Sequence, residues 1–432
     1  MSEQVIYSPL SKYLSVIRNG TVSTQVSEIT EFPVTRIETI ADGTIDLSKI
    51  GYLADKISTY KLEKWDILYS HINSFKHVGK VAQYEGGKDL YHGMNLLLLR
   101  PNEHIDPKYL YYSLSSSQAK RYAQKECQKA INQVSLNTKT VGAYEFYVPP
   151  IYEQKVIAKI LYTLDTQIRQ TEAIIVKLQK IKQGLLNDLL TRGIDSSGQL
   201  RMPREQAPEL YKDSQLGWIP KEWEALPLGD LLFCIEGGWS PNCTETRPAS
   251  GEWGVLKVSA VTGGVYKDYE AKALPHTLNP KPNIEVRSGD VILTRANGNP
   301  DLVGNTVLVE FTQEKLMLSD KLLRLVPAEA LSAEFLVFLM SFYKTKGQIS
   351  ILTSGSSGQK NISQAQIKNL LVPSAPYEEQ LASTKRVRAI SERIFKESNK
   401  LSKMKLEKAG LMDDLLTGRV RVTDLIEQQR AS

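Results

Sequence analysis

A stretch of thirty-nine residues in this chain has a second, related copy, and that doubling constrains the fold more than any other feature of the sequence. Residues 153–191 and 379–417 align without a gap at an offset of 226, and 12 of the 39 positions are identical, including Lys159/Lys385, Ile168/Ile394, Lys177/Lys403, Lys182/Lys408, Gly184/Gly410 and Leu185/Leu411. Upstream of each copy the likeness continues, but the offset drifts. Ser8-Pro9-Leu10 answers Leu226-Pro227-Leu228 at 218, Val34-Thr35-Arg36-Ile37 answers Val255-Leu256-Lys257-Val258 at 221, and Trp65-Asp66-Ile67-Leu68 answers Gly289-Asp290-Val291-Ile292 at 224. Insertions therefore collect only in the upstream parts. The chain reads as variable unit, rigid unit, variable unit, rigid unit, over 1–150, 151–195, 223–373 and 374–432, with a Ser-, Gly- and Pro-containing connection at 196–222.

Each half of a 432-residue chain is long enough to bury its own core, and 41% hydrophobic with 24% charged residues excludes wholesale disorder. No apolar run approaches the ~18–20 residues that cross a bilayer. The N-terminal stretch also lacks a basic-then-apolar leader, so a cytoplasmic chain without membrane contact is expected. Three cysteines, Cys127, Cys234 and Cys243, support neither a disulfide framework nor a zinc site. The charge balance, 54 − 48 = +6, permits a polyanionic partner without demonstrating one.

The rigid unit predicts a long helix, because apolar residues recur in steps of three and four at Ile157, Leu161, Leu164, Ile168, Ile175, Leu178, Leu185 and Leu189. Thr171 and Lys182 interrupt that seam. The second copy carries Val387, Ile390, Ile394, Leu401, Met404, Leu411 and Leu415 on the matching seam, interrupted by Ser383, Glu397 and Lys408. Pro149-Pro150 and Pro376 suit helix starts, and Gly193 and Gly418 suit the ends. One such seam alone suggests an ordinary core helix; two matched seams most simply bury each other. The many lysines on both helices read as a solvated face. Gly184 and Gly410 cost ~1 kcal/mol each relative to alanine inside a helix, so either another helix approaches there or the helix end is softened.

The variable units predict mixed α/β segments with strands at 33–37, 254–258, 66–70, 290–294 and 303–307, polar turns at 71–74 and 295–299, and a following helix that carries Tyr109-Leu110-Tyr111-Tyr112 or Phe335-Leu336-Val337-Phe338. Two related but unlike globular units suit a long ligand with two separated, non-identical sites, and double-stranded DNA is such a ligand. A symmetric dimer reads a palindrome, whereas one chain with two divergent readers would read two different half-sites. Arg can bond guanine, Asn or Gln can bond adenine, and Lys or Ser can hold phosphate. On that chemistry the candidates are His71, Asn73, Ser74, Lys76, Asn132 and Gln133 in the first half, and Arg295, Asn297, Asn299, Ser356, Ser357, Gln359, Lys360 and Asn361 in the second. Each has a plainer reading, since Asn-Gly and Asn-Pro form turns without any ligand and Ser/Gly runs form loops. His71 and His77 nominate no further metal ligands.

The run Asp213-Ser214-Gln215-Leu216-Gly217-Trp218-Ile219-Pro220-Lys221-Glu222-Trp223-Glu224, with Leu228-Gly229-Asp230, Pro376-Tyr377-Glu378-Glu379-Gln380 and Asp414-Leu415-Leu416-Thr417-Gly418, resembles the specificity subunit of type I restriction-modification systems over essentially the whole chain. The first half lacks the Gly-Trp-Ile-Pro entry run, although Ser8-Pro9-Leu10 follows the expected continuation. The resemblance implies an α+β chain with a pseudo-two-fold internal repeat, in which two globular target-recognition domains are separated by two long helices forming an antiparallel coiled coil. It implies a bipartite, asymmetric DNA site, two methyltransferase (modification) subunits docked on the helices, and restriction (translocase/endonuclease) subunits recruited to the complex. No cofactor is then expected on this chain, and S-adenosylmethionine, ATP and Mg would belong to the partner subunits.

No catalytic residue and no metal site is nominated, for the chain has no phosphate-binding G-x-x-x-x-G-K-[ST] loop, no G-x-G-x-x-G run and no H-E-x-x-H pair. Val148-Pro149-Pro150-Ile151 is not the Asn/Asp-Pro-Pro-Tyr/Phe motif of adenine methyltransferases. Two alternatives stand beside the DNA reader: a coiled-coil adaptor that joins proteins without reading DNA, and a self-contained methyltransferase or nuclease.

Overall fold

The structure is a computed structural model that describes residues 6–41, 43–55, 58–131, 133–353 and 360–423. It divides into two compact units, residues 1–174 with 397–432 (unit 1) and residues 175–396 (unit 2). Two long helices, Ile151–Thr191 and Tyr377–Leu415, each contribute one part to unit 1 and the other to unit 2.

Both units are built on a four-stranded antiparallel sheet with the same strand order. Unit 1 orders Val81–Gln83, Ile67–Ser70, Leu96–Pro101 and Leu14–Asn19; unit 2 orders Thr306–Leu308, Val291–Thr294, Leu322–Pro327 and Leu232–Gly237. The registers reproduce the drifting offsets. Leu97 faces Asn19 and Tyr69, whereas Leu323 faces Gly237 and Leu293, so the differences are 237 − 19 = 218, 293 − 69 = 224 and 323 − 97 = 226. Even the irregularity recurs, since the pairing skips Ser15 between Leu14 and Val16 and skips Phe233 between Leu232 and Cys234. The central strands are apolar without alternation because both faces are covered. Leu97 and Leu99 join one core cluster and Leu96 and Leu98 another, as Val291 and Leu293 do against Ile292.

An ion pair braces each sheet at an equivalent aspartate, although the arginine comes from a different position in each. Arg100 holds Asp66 through two bonds of 2.8 Å, and Arg324 stands 3.0 Å from Asp290 and 2.6 Å from Glu236. The helix that follows is started in both units by a side-chain cap, which satisfies amides that the first helical turn leaves open. Asp106 accepts from the Lys108 and Tyr109 amides ahead of Pro107–Ser115, and Ser332 accepts from the Phe335 amide ahead of Ala333–Ser341.

The long helices begin directly after Pro150 and Pro376, and Gly193 and Gly418 just past their ends take φ of 65° and 72°. The Gly193 amide closes the first helix by bonding the Asp188 carbonyl. Every seam residue is buried or half-buried, from Ile157, Leu161 and Leu189 to Val387, Met404 and Leu415. Within unit 1 the helices run antiparallel, because Glu172 meets Lys405 at 2.7 Å while the earlier Asp165 meets the later Lys408 at 2.5 Å. Within unit 2, Leu186, Leu189 and Val387 share one core. Thr171 and Lys182 stay on the packed face, and burial pushes the Lys182 ammonium below its ordinary range. A Cβ at Gly184 or Gly410 would meet nothing within 4 Å, so close packing inside the chain does not account for either glycine.

The expected strands at 33–37 and 254–258 are shorter, Pro33–Val34 and Gly254–Leu256, because helical turns at Ile37–Thr39 and Ser259–Thr262 follow at once. The 303–307 strand starts late, at Thr306, behind a turn at Pro300–Leu302. Residues 196–222 are ordered on unit 2 and carry the short pair Tyr211–Lys212 with Ile219–Pro220.

Candidate nucleic-acid interface

The segments nominated from sequence meet in space. In unit 1, Ile72–Asn73 pairs with Gln133–Ser135, which also pairs with Gln128–Ala130; in unit 2, Ala296–Asn297 pairs with Lys360–Asn361. The two ribbons are equivalent residue for residue: Asn73 faces Val134 and Asn297 faces Lys360, with 297 − 73 = 224 and 360 − 134 = 226. One further bond repeats as well, from the Leu136 amide to the His71 carbonyl and from the Ile362 amide to the Arg295 carbonyl. What the sequence suggested were polar turns at 71–74 and 295–299 are thus partly strand, since each finds a partner some 60 residues further on that satisfies its backbone.

The side chains on this frame differ. His71 is 5% exposed, and burial without a matching charge pushes its imidazole down to about 4, so it sits beneath the ribbon as a neutral group. Arg295, its counterpart at 71 + 224, is half-buried, and its guanidinium makes no hydrogen bond or ion pair among the described residues. Asn73 is used up locally, with its amide on Ser70 Oγ at 2.9 Å and its carbonyl oxygen on the Ser74 amide at 2.8 Å. Asn297 and Asn299 spend only their oxygens, on the amides of Asn299 at 2.9 Å and Asp301 at 3.0 Å, and their NH2 groups make no hydrogen bond among the described residues. Ser74, Lys76, Gln133 and Asn361 are exposed and Lys360 is half-buried. Asn132, Ser356, Ser357 and Gln359 lie outside the described residues.

Sequence reasoning missed three neighbours in unit 1. Phe75 is 48% exposed beside Lys76, Lys129 Nζ stands 5.8 Å from its ring, and Ile131 is 92% exposed at the hairpin turn. The nomination rested on polar types alone, whereas an exposed aromatic beside lysines is itself a base-stacking signal.

The repeated Glu-Gln pair ties the ribbon-bearing domains to the helices. Glu379 accepts from Arg201 at 2.6 and 3.1 Å, from the Ile194 amide at 2.6 Å and from Trp223 Nε1 at 3.0 Å. Glu153, fully buried, pairs with Arg421. Gln154 accepts from the Asp106 amide at 2.8 Å and Gln380 from the Ser332 amide at 2.9 Å, so each glutamine grips the capping residue of the helix that follows the sheet, Pro107–Ser115 or Ala333–Ser341.

Among the described residues no three His, Cys, Asp or Glu side chains converge to hold a metal, and no described helix is long and apolar enough to cross a membrane. Fold and site together define an internally duplicated α+β chain that presents two equivalent ribbons bearing different side chains.

Comparison with known proteins names that class. Residues 15–180 and 220–405 match the type I restriction modification DNA specificity domain family. A Methanocaldococcus jannaschii chain provisionally named the type I restriction enzyme MjaX specificity subunit is 35% identical over 96% of this chain and 93% of its own length. The EcoKI specificity subunit of Escherichia coli is 22% identical over 90% of this chain and 82% of its own. Among solved structures, the S subunit from M. genitalium matches with a TM-score of 0.59 at 14% identity, covering 96% of this chain and 97% of that one. A structure concerned with complex assembly and conformational transition of the type I R-M system matches at 0.54 and 15%, covering 97% and 100%. The chain belongs to the specificity subunits of type I restriction enzymes.

Proposed function

We infer that each ribbon reads one half of a bipartite, asymmetric site in double-stranded DNA, and that the chain scaffolds the enzymes acting on that site. One observation supports this reading most: the same strand pairing carries unlike side chains at equivalent places, His71 against Arg295 and Val134 against Lys360. Two copies of one reader would select a palindrome; two diverged copies select unlike half-sites. In unit 2, Arg295 is the candidate for guanine and the NH2 groups of Asn297 and Asn299 for base acceptors. In unit 1, Gln133 is the candidate for adenine, with Ser74 and Lys76 on phosphates.

The chain is a non-catalytic specificity subunit. Its long helices are the docking surface we propose for two methyltransferase subunits, with restriction subunits joining the complex. S-adenosylmethionine, ATP and Mg are assigned to those partners, as is the pocket that receives an extruded adenine.

The test is an exchange of residues 223–373 for the corresponding unit of a relative, followed by methylome sequencing of a host that also expresses the methyltransferase. One half-site should change and the other stay; a change in both would end the idea of independent readers. Arg295→Ala should relax discrimination at one base pair by about 1–3 kcal/mol. Equal affinity of the assembled complex for all duplexes would instead favour the adaptor, and methyl transfer or cleavage by the purified chain alone would favour a self-contained enzyme.

A further inference from the structure

We propose that unit 2 carries a phosphate-gripping cleft beside its ribbon that seats a DNA backbone phosphodiester and so sets the register of the second half-site. The proposal rests on the reading of Arg295 and its neighbours as a DNA edge. The cleft has a volume of about 440 Å³ and is lined from three segments, Ser240 to Glu245, Val255 to Val258 and Ser319 to Lys321, together with Lys272. Three lysines line it, Lys257, Lys272 and Lys321. Ser319 lines it too, and although that residue is only 6% exposed its hydroxyl has no hydrogen-bond partner. A buried hydroxyl without a partner is costly and rare, and a ligand that supplies one explains it.

The donors favour an anion made of acceptor oxygens. Lys321 makes no ion pair among the described residues. Lys272 is held by Glu245 at 2.5 Å, and Lys257 stands 3.9 Å from the same carboxylate. Glu245 is 77% exposed, so its pairs are of the weak, solvent-screened kind and it can swing aside when a phosphate enters. Asp320, which also lines the cleft, is engaged by the Ser240 hydroxyl at 2.5 Å.

Position links the cleft to the ribbon. The Arg295 amide bonds the Lys321 carbonyl at 2.8 Å, so the residue that offers a guanidinium to a base is fastened to the one that offers an ammonium to the backbone. Phosphate contacts of this kind carry no sequence information but fix where along the duplex the base-reading groups fall.

Unit 1 fills the same place. The Thr21 amide bonds the His92 carbonyl as the Trp239 amide bonds that of Leu318, which puts Gly93 opposite Ser319. There the Gly93 amide is taken by Thr35 Oγ1 at 2.9 Å, and both residues are buried.

The experiment uses the full chain assembled with its methyltransferase subunits and a duplex bearing the site found by methylome sequencing, with binding followed from about 50 to 200 mM salt. Lys321→Gln should flatten the slope of log K against log salt by about 0.9 and weaken binding to site and non-site duplexes alike. Lys321→Arg should restore both, Ser319→Ala should weaken binding several-fold, and Glu245→Gln should tighten it. An unchanged slope and affinity in Lys321→Gln, or equal loss in the Gln and Arg variants, would overturn the cleft. If the unaltered complex discriminates its site while Lys321→Gln binds as well as it does, only the cleft falls; if the unaltered complex does not discriminate at all, the DNA-reading function falls with it.

Discussion

Where the central strand of each sheet gives way to its ribbon, unit 1 has His71, buried and neutral, and unit 2 has Arg295, half-buried with its guanidinium uncommitted. The backbone around them is the same: each carbonyl accepts the same amide, from Leu136 or Ile362, and each preceding sheet is braced at the equivalent aspartate, Asp66 or Asp290, by an arginine that stands at a different position in each, Arg100 or Arg324. The difference lies in what the frame carries. A brace built from backbone bonds and buried ion pairs tolerates any side chain at the ribbon, so recognition can diverge while the scaffold does not.

The largest expected effect tests how alike the two clasps are. Glu379→Gln leaves Arg201, 9% exposed, with only the exposed carboxylate of Glu222 at 3.5 Å as counter-charge and should cost about 3–5 kcal/mol in denaturant unfolding of the full chain. Glu153→Gln should cost less, because Arg421 is 28% exposed and retains water. Equal losses would show that burial of the arginine does not set the cost.

Acid should separate the units next. Burial pushes His71 and His92 down to about 4 from an ordinary value of 6.5. Between those values the unfolded chain binds protons that the folded chain refuses, so stability falls as pH drops through that window, by about 3 kcal/mol per histidine once both states have been passed. Unit 2 has Arg295 and Leu318 at these places. Hydrogen exchange read peptide by peptide at pH 7 and near pH 4.5 should show unit 1 opening first, and simultaneous opening would break the contrast.

The glutamine grips are predicted to be equivalent. Gln154→Ala and Gln380→Ala each strand a half-buried amide at a helix cap and should cost about 1–3 kcal/mol, detectable by thermal unfolding. A large difference between them would mean that one recognition domain leans on its helix more than the other. The smallest effect runs the other way. Gly184→Ala and Gly410→Ala, with open space for a Cβ, should each stabilise the isolated chain by ~0.5–1 kcal/mol, and a loss would reveal an unrecognised neighbour.

Much of this architecture is legible before folding. Helix ends were marked by Pro150, Pro376, Gly193 and Gly418, whose backbone limits act within a turn, and the seams by a period that any helix must bury. The strand lengths at 33–37 and 254–258 were not, because β-branched runs do not show where a helical turn will take over. Of the candidate interface, the polar residue types were visible but their uses were not: Asn73 and Ser74 look equally available in sequence, yet only the first is consumed in shaping its own turn.

The sequence by itself determined the doubling, the two helices and the offsets of 218, 224 and 226 that the sheet registers repeat, since these follow from local periodicity and from likeness between copies. Only the tertiary structure decided that Asn297 lies beside Lys360, that Arg201 reaches Glu379 across 178 positions and Arg421 reaches Glu153 across 268, and that a serine hydroxyl is left unanswered in the cleft of unit 2. Such pairings are settled when distant groups leave water together and each must find a partner, a condition that no stretch of neighbouring residues can express.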